Sequence, residues 1–413
     1  MNVTLRCRAC PDEETASEAW RHIELHRQIR NHAVRDYYSH EPGNRPSSFD
    51  QHNKLTDWKQ RWPVFKDVSA HAAQQTISEV HKNIKILREK RYKGCKTGRL
   101  KWQGSGERRS VAYQSEGYDV NHTTGRDGYV SLRLSKIGTI QIRAHRDLPP
   151  TESIKRVVLK KELTGEWFAC LVTERPDDSL PEKPNPDDLS PADCVGVDLG
   201  IQSYIHTSDN LAVDMLDLSD EYDRYAREQR KLDRKEYGSN NWEKQRQKVA
   251  KAKRRIKRVV LDFQHKLTTW LVREYDMVAV EDLDVKPMME TSQSAKNKQD
   301  ASWSRFLTLL EYKGELHGTH VVKVDSAGTT KECSRCGVKT DKPIWVRQHS
   351  CPACGHEEDR DLNAAKNILS RGCKQLGAGR SESTPVETAL PTFTPQREAV
   401  NAKRVIEAGG PGA

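Results

Sequence analysis

Two pairs of cysteines constrain the fold of this chain more than any other feature of its sequence. Cys333 and Cys336 form the first CxxC pair, and Cys351 and Cys354 form the second after fourteen intervening residues. Each pair is followed by a glycine, which suits a tight turn whose backbone N–H groups are free to bond sulfur. Four thiolates at this spacing predict a tetrahedral structural zinc site. We therefore expect a zinc ribbon over residues 331–355.

Four carboxylates follow the second cysteine pair and stand at the start of a predicted helix. Apolar residues at i, i+3 and i+6 indicate this helix, namely Leu362, Ala365 and Ile368. A closed shell of four thiolates has no need of carboxylate ligands, so these acids require another role. They are Glu357, Glu358, Asp359 and Asp361.

Further carboxylates stand at the ends of apolar strands. The segment CVGVDLGIQSYI predicts a strand that carries Asp198, MVAVEDL predicts a second that ends at Glu281, and VVKVD predicts a third that ends at Asp325. Such acids are costly to bury without a partner, and pairing with a local arginine is the alternative explanation. Carboxylates brought together repel one another unless divalent cations lie between them, and hard oxygen ligands suit Mg²⁺ or Mn²⁺. The order Asp, Glu, Asp is that of ribonuclease-H-like nucleases.

A strongly basic segment, the basic stripe, lies between Arg224 and Arg258. It contains fifteen Lys or Arg and four Asp or Glu, a net charge of +11, whereas the whole chain carries +10. Cations that neutralise phosphates gain affinity by releasing counterions, which favours nucleic-acid contact over a solvated helix face. The candidate nucleic-acid-binding residues are Lys244, Arg246, Lys248, Lys251, Lys253, Arg254, Arg255, Lys257 and Arg258.

The amino-terminal part of the chain changes from helical to alternating patterns. Two amphipathic helices are predicted, one around residues 20–37 and one through Ala73–Leu87. The aromatic residues between them favour helix packing over the stacking of bases. From about Arg91 to Arg175 alternating apolar residues and Gly turns predict a small antiparallel β-barrel. The aromatic residues are Trp58, Trp62 and Phe65, and the barrel face includes Val130, Leu132, Leu134, Ile140 and Ile142.

These patterns together predict a multidomain α+β protein. The alternation of strands and helices after the barrel indicates an α/β domain, which the zinc ribbon interrupts. The predicted parts are a β-barrel at 1–14 and 91–175, a helical insertion at 15–90, a linker at 176–192, the α/β domain at 193–330 and 356–372 with basic helices at 219–275, the ribbon at 331–355, and a disordered tail at 373–413.

The composition bears on the compartment in which the protein works. The chain has 413 residues and ten cysteines, of which four have metal-type spacing and the others are scattered. The CxxC of Cys7 and Cys10 has no second pair, so we interpret it as a bystander. No run of 18 apolar residues occurs and the first residues lack a signal-peptide pattern, so we expect an intracellular protein in a reducing compartment without a membrane partner.

Several longer motifs resemble those of the TnpB (OrfB) family of transposon-encoded proteins. The resemblance is strong over roughly residues 125–372 and weaker over the helical amino-terminal part. It is carried by GVDLGIQSYIHTSD, by the segment from SNNWEKQRQ to VEDLDVKPMM, by ASWSRFLTLLEYK, by LSKIGTIQIRAHRDLP, and by CSRCG followed by CPACGHEEDRDLNAAKNILSRG.

The resemblance implies an RNA-guided DNA endonuclease related to type V CRISPR effectors, with a split RuvC-like nuclease domain. By motif, Asp198, Glu281 and Asp361 would be the catalytic acids that bind Mg²⁺ or Mn²⁺, and the four cysteines would bind structural Zn²⁺. The wedge-like barrel and the helical recognition insertion would bind the guide RNA and read a short motif beside the target, while base pairing reads the DNA sequence. The partners would be guide RNA and target DNA in a monomeric, cytoplasmic and nucleoid-associated ribonucleoprotein.

Two other functions remain open from the sequence. The first is a nucleic-acid-binding accessory or regulatory protein of transposition that has a zinc ribbon but requires no cleavage. The intact set of three acids favours the nuclease over this alternative. A transposase is less favoured, because the last acid is Asp where a DDE transposase has Glu, and no Tyr nucleophile stands beside a His-x-His pair.

Overall fold

The computed structural model describes residues 2–121, 128–176, 179–200, 202–283, 302–343 and 345–377. The chain divides into two compact units, Met1–Asp177 and Asp178–Ala413. Together they form a mixed α/β multidomain fold. In the described part of the chain, no helix is both long enough and apolar enough to cross a membrane.

A seven-stranded antiparallel sheet forms the core of the first unit. Its strands are β1 (Asn2–Cys10), β2 (Ser110–Gln114), β3 (Tyr118–Asn121), β4 (Tyr129–Leu134), β5 (Gly138–Arg143), β6 (Ile154–Lys161) and β7 (Trp167–Glu174). They are arranged in the order β2-β6-β7-β1-β5-β4-β3. The hydroxyl of the buried Tyr118 on β3 donates a hydrogen bond to the carbonyl of Ile154 on β6, so the sheet is nearly closed. The predicted apolar face of β4 and β5 is buried, as expected from the alternation.

In the described part of the first unit, three α-helices accompany this sheet: α1 (Glu13–Ser39), α2 (Ser48–Arg61) and α3 (Ala70–Tyr92). Side-chain caps begin two of them, since Asp12 accepts from the backbone N–H of Thr15 at 2.7 Å and Ser47 forms a capping box with Asp50. The predicted aromatic residues pack in the helical core, where the rings of His32 and Trp62 lie 4.2 Å apart. This confirms the packing interpretation.

The stretch between α3 and β2 is irregular, so the prediction that strands begin near Arg91 was wrong for residues 95–109. This stretch follows the surface of α1. Arg27 donates to the carbonyl of Gln103 at 2.8 Å, and the side chain of Asn31 both donates to that carbonyl and accepts from the N–H of Gln103. Side chains of α1 thus satisfy the backbone groups that a sheet would otherwise pair.

A five-stranded sheet forms the centre of the second unit. Its strands are β8 (Cys194–Leu199), β9 (Ser203–Thr207), β10 (Ala212–Asp214), β11 (Met277–Glu281) and β12 (His320–Val324), in the order β10-β9-β8-β11-β12. β8, β11 and β12 are parallel neighbours, which confirms the three predicted strands. The segment CVGVDLGIQSYI is not a single strand, because the chain turns at Gly200 and β9 returns antiparallel to β8.

The described residues of this unit include four helices: α4 (Ser219–Asp233), α5 (Asn240–Glu274), α6 (Trp303–His317) and α7 (Arg360–Leu376). The segment GSNN separates α4 from α5, and Ser239 caps α5 by accepting from the N–H of Trp242 at 3.1 Å. Phe263, Leu267 and Leu271 of α5 are buried against the sheet. Between β12 and α7 lies a small hairpin of β13 (Gln348–Ser350) and β14 (Glu357–Asp359).

Two predicted boundaries of the second unit need correction. The described part of the predicted linker packs on this unit, since His320 donates from its ring to the carbonyl of Pro184 at 2.8 Å and Leu189 joins an apolar cluster. Helix α7 continues beyond residue 372, because Cys373 and Leu376 pack in the same cluster. The rest of the predicted tail, residues 378–413, lies outside the described residues.

Candidate metal centres and nucleic-acid interface

The three predicted catalytic acids lie on elements that meet at the carboxyl ends of the parallel strands of the second sheet. Asp198 is near the carboxyl end of β8 and Glu281 ends the neighbouring parallel strand β11. Asp361 lies in the first turn of α7, which packs against both strands. All three side chains are buried. Carboxyl ends of parallel strands are the usual place for ligand sites in such sheets.

Two glycines allow α7 to approach the sheet closely. A Cβ atom at Gly196 on β8 would lie 2.0 Å from the carbonyl oxygen of Ala365 on α7, which is far inside contact distance. A Cβ atom at Gly372 on α7 would lie 2.5 Å from the Cβ of Ala279 on β11. The helix that carries Asp361 is therefore held against the strands that carry the other two acids by close contacts with the backbone.

The electrostatic environment of Asp198 and Glu281 disfavours their ionised forms. Burial raises the pKa of Asp198 well above its usual value, and the carboxylates of Glu281 and Asp361 raise it further against the opposite effect of Arg360 and Arg347. Burial also raises the pKa of Glu281, although a hydrogen bond from the Thr329 hydroxyl at 2.6 Å acts in the other direction. Buried carboxylic acids with raised pKa values are common at functional sites.

Asp361 has different partners from the other two acids. Its carboxylate forms an ion pair with Arg347, and Arg360 lies 3.4 Å from the same carboxylate. Asp359, two residues before Asp361, is exposed and caps α7 by accepting from the N–H groups of Asp361 and Leu362 at 2.8 and 3.2 Å. Oδ1 of Asp359 therefore has a structural role, and the buried Asp361 is the better candidate for the third catalytic acid.

Divalent cations fit the chemistry of this donor set. Asp198, Glu281 and Asp361 supply carboxylate oxygens, which are the ligands that Mg²⁺ and Mn²⁺ prefer. Within the described residues, their ligand atoms do not all lie within 4.8 Å of one another. An ion would reduce the repulsion that now raises the pKa of Asp198, so these residues fit a hard cation.

The four predicted cysteines form a compact cluster that could bind zinc. Their sulfur atoms all lie within 4.8 Å of one another, with 3.7 Å between Cys333 and Cys354 and 3.5 Å between Cys336 and Cys351. A tetrahedral site with Zn–S bonds of about 2.3 Å has S–S edges of about 3.8 Å, close to these distances. A hydrogen bond from the backbone N–H of Cys354 lowers the pKa of Cys351 to about 6, which favours the thiolate that a metal requires.

Two asparagines on α7 join the cysteine cluster to the candidate acidic site. Asn363 accepts from the N–H of Ser334 at 2.9 Å and donates to the carbonyl of Glu332 at 2.7 Å. Asn367, one turn later, donates to the carbonyls of Thr329 and Glu332 at 2.9 and 2.8 Å. Both side chains are buried. The first cysteine turn is therefore fixed to the helix that carries Asp361, and the sequence analysis missed these residues together with Thr329 and Arg347.

The basic stripe occupies α4 and the first half of α5. Five cations of α5 recur with helical spacing, so they share one face that we call the cationic row, and all five are exposed. Of the other candidates, Lys253 and Lys257 are exposed on a different face, while Arg246 and Arg254 are half-buried. Arg246 pairs with Glu243 at 2.5 Å. The cationic row consists of Lys244, Lys248, Lys251, Arg255 and Arg258.

Comparison with solved structures shows which fold this chain resembles. A cryo-EM structure of a Cas12f1–sgRNA–target DNA complex matches 86% of this chain and 82% of that chain, with a TM-score of 0.55 and 15% sequence identity. The structure of the mini-RNA-guided endonuclease CRISPR-Cas_phi3 matches 90% of this chain and 92% of that chain, with a TM-score of 0.50 and 10% identity. The chain therefore has a fold that resembles Cas12 effectors.

Sequence comparison identifies the family. The model described as "Cas12f1-like, TNB domain" matches residues 303–368, and the OrfB model described as "Probable transposase" matches residues 171–292. A "Putative RNA-guided DNA endonuclease" of Streptomyces pristinaespiralis is 30% identical over 96% of both chains. A protein of Escherichia coli strain K12 with the same description, InsQ, is 26% identical over 86% of this chain and 88% of its own length. The chain belongs to the TnpB (OrfB) family.

Proposed function

We propose that this protein is an RNA-guided DNA endonuclease of a transposable element, which cleaves phosphodiester bonds of target DNA at Asp198, Glu281 and Asp361. The observation that carries the proposal is that these three acids are buried at one sheet edge, where burial and the carboxylates of Glu281 and Asp361 raise the pKa of Asp198. The family relatives described as RNA-guided DNA endonucleases support it over most of the chain.

The protein's own residues would position the reaction. Asp198 and Glu281 are fixed by two central strands, and the hydrogen bond from Thr329 orients the carboxylate of Glu281. Asp361 is held by α7, whose position depends on the cysteine cluster through Asn363. Divalent ions bound by the three acids would activate water and stabilise the leaving oxygen. We assign these elements to a RuvC-like nuclease domain with an inserted zinc ribbon.

The remaining parts of the proposal concern the partners. Guide RNA and target DNA would bind as a ribonucleoprotein with one copy of the chain, in the cytoplasm and at the nucleoid. The cationic row would contact phosphates without reading bases, because Lys and Arg side chains on an exposed helix face neutralise any nucleic-acid backbone alike. The barrel and helices of residues 1–175 would hold the guide RNA and read the motif beside the target.

A cleavage assay with the native ribonucleoprotein tests this function. The protein is purified together with its RNA, the RNA is sequenced, and plasmids that carry the matching target beside a randomised flank are incubated with Mg²⁺. We expect cleavage by the parent protein and its loss in Asp198→Ala, Glu281→Ala and Asp361→Ala, each of which should still bind RNA and DNA. Glu243→Ala serves as a control for the loss of an acid, because Glu243 pairs with Arg246 on the surface of α5 and is not one of the three candidate acids.

The alternative function gives a different result in the same assay. An accessory protein without cleavage would bind RNA and DNA but leave every plasmid intact, and the three variants would behave like the parent. Full cleavage by any one of the three variants would remove that residue from the active site.

A further inference from the structure

An imidazole and two carboxylates meet on one side of the candidate acidic site. His206, Asp359 and Asp361 each offer one ligand atom, and these atoms all lie within 4.8 Å of one another. Among the described residues, the four cysteines form the one other group with this property. His206 was not among the residues that the sequence patterns identified, and the nuclease reaction as proposed does not use it.

The fold brings these three residues together from separate elements. β8 and β9 pair so that His206 lies directly opposite Asp198. Asp359 is the last residue of β14, and Asp361 follows two residues later at the start of α7. Asp361 therefore belongs both to the three candidate catalytic acids and to this second group. A carboxylate shared between neighbouring cation sites is a common feature of two-metal enzymes.

The ring of His206 is oriented by a neighbour. Asn210 accepts a hydrogen bond from Nε2 of His206 at 3.4 Å. Asn210 has a φ of 67°, a left-handed conformation that Asn tolerates better than most residues. When Nε2 donates a proton to this amide oxygen, the lone pair of the imidazole is on Nδ1. A metal-binding histidine generally donates its other N–H to an oxygen in this way.

Other charged groups at this position compete with a cation but do not block it. Arg347 and Arg360 both contact the carboxylate of Asp361. The side chain of Arg347 is 36% exposed, so it can move into solvent when a cation arrives. Asp359 uses Oδ1 for both hydrogen bonds of the helix cap, and these bonds do not occupy Oδ2. Each of the three residues can therefore contribute a ligand atom without disrupting the fold.

We propose that His206, Asp359 and Asp361 form a second divalent-cation subsite, which shares Asp361 with Asp198 and Glu281 and prefers a first-row transition ion to Mg²⁺. The preference follows from the ligands, because Mg²⁺ favours oxygen alone whereas transition ions bind imidazole nitrogen well. The proposal rests on the proposed function, since the subsite extends the same acidic site. The test therefore measures the binding of divalent cations rather than the cleavage of DNA.

Pulsed electron paramagnetic resonance of Mn²⁺ bound to the full-length protein tests the subsite directly. A directly coordinated imidazole produces a modulation from its ¹⁴N nucleus, and we expect this signal in the parent protein. His206→Ala and His206→Gln should both abolish it, the second while keeping a side chain that can hydrogen-bond. We also expect these variants to weaken Mn²⁺ binding at least about tenfold, while Mg²⁺ binding changes less than about threefold.

His317→Ala is the matched control, because His317 is an exposed histidine of the same unit at the end of α6. It should keep the ¹⁴N signal, and all variants should keep the metal content of the cysteine cluster, which shows that they are folded. A ¹⁴N signal that survives in both His206 variants would overturn the subsite. Mn²⁺ that binds without ¹⁴N modulation and is lost in Asp198→Asn would also overturn it but leave the proposed function intact. A parent protein that binds no Mn²⁺ would contradict both.

Discussion

Moving one methyl group between helix α7 and strand β11 tests how closely this helix must approach the sheet. A Cβ atom introduced by Gly372→Ala would lie 2.5 Å from the Cβ of Ala279, whereas ordinary contacts begin at 3.4 Å. In the double variant Gly372→Ala with Ala279→Gly, the nearest remaining atom of residue 279 is its Cα at 3.7 Å. The clash is therefore relieved in the double variant although each single change disturbs the interface.

The expected free energies follow from these contacts. Ala279→Gly removes a buried methyl group and places Gly in a central strand, which costs about 1.5 kcal/mol. Gly372→Ala gains about 1 kcal/mol of helix propensity but overpacks the interface by about 1–3 kcal/mol. The double variant should then lie within about 1 kcal/mol of the parent, with a favourable coupling energy of about 1–3 kcal/mol.

Denaturant unfolding of the parent, the two single variants and the double variant gives the coupling energy. The rate of target cleavage by the same four proteins shows whether the contact positions Asp361. Gly372→Ala alone should displace Asp361 and lower cleavage by about 100-fold, and Ala279→Gly should restore most of the loss. Gly43→Ala is the control, because no atom lies within 4 Å of a Cβ at that loop position. Additive free energies, or a double variant as inactive as Gly372→Ala, would refute the view that this contact positions Asp361.

Three further predictions concern the cationic row, the cysteine cluster and the buried acid. Replacing Lys248 and Lys251 with Gln should flatten the slope of log K against log salt by about 1.4–1.8, equally for matched and unmatched DNA. Cys333→Ser should abolish zinc binding and speed hydrogen exchange at the start of α7, because Asn363 ties the two together. Asp198→Asn should stabilise the metal-free protein at neutral pH, because burial and neighbouring carboxylates raise the pKa of Asp198.

Each of these outcomes has a control or a contrary result. Lys183→Gln with Lys323→Gln removes the same charge from residues already paired with carboxylates, so it should leave the salt slope unchanged. The absence of zinc from the parent protein would contradict the metal assignment of the cysteines. The stabilisation by Asp198→Asn must disappear as pH falls below about 4, where the unfolded chain also protonates this acid. The same advantage at every pH would show that ionisation of Asp198 is not its cause.

The features that were predicted well depend on patterns among residues that are close together in the sequence. The spacing of the cysteine pairs predicts the cluster, because the ligands of a structural zinc occur at short, regular separations in sequence. The strands that end near Asp198 and Glu281 are short apolar runs, and parallel strands are the expected product of alternating strands and helices. The break between α4 and α5 is marked by Gly238 and the cap Ser239.

The features that escaped prediction depend on contacts between distant parts of the chain. Thr329 bonds Glu281 across 48 positions in sequence, and no local pattern distinguishes it from Thr330, which follows it in the same turn. His206 becomes relevant only when Gly200 is recognised as a turn that folds β9 back on β8. Asn367 is a polar residue on a buried helix face, which was the one signal that could have identified it.

Anomalous diffraction from crystals of the native ribonucleoprotein grown with Mn²⁺ is the most direct test of the acidic site. Data collected around the manganese and zinc absorption edges distinguish the two metals within one crystal. We predict zinc at the four cysteines and manganese in contact with the carboxylates of Asp198, Glu281 and Asp361. Ordered zinc at the cysteines, with no manganese at these three carboxylates, would contradict the proposal that they form a metal-dependent nuclease site.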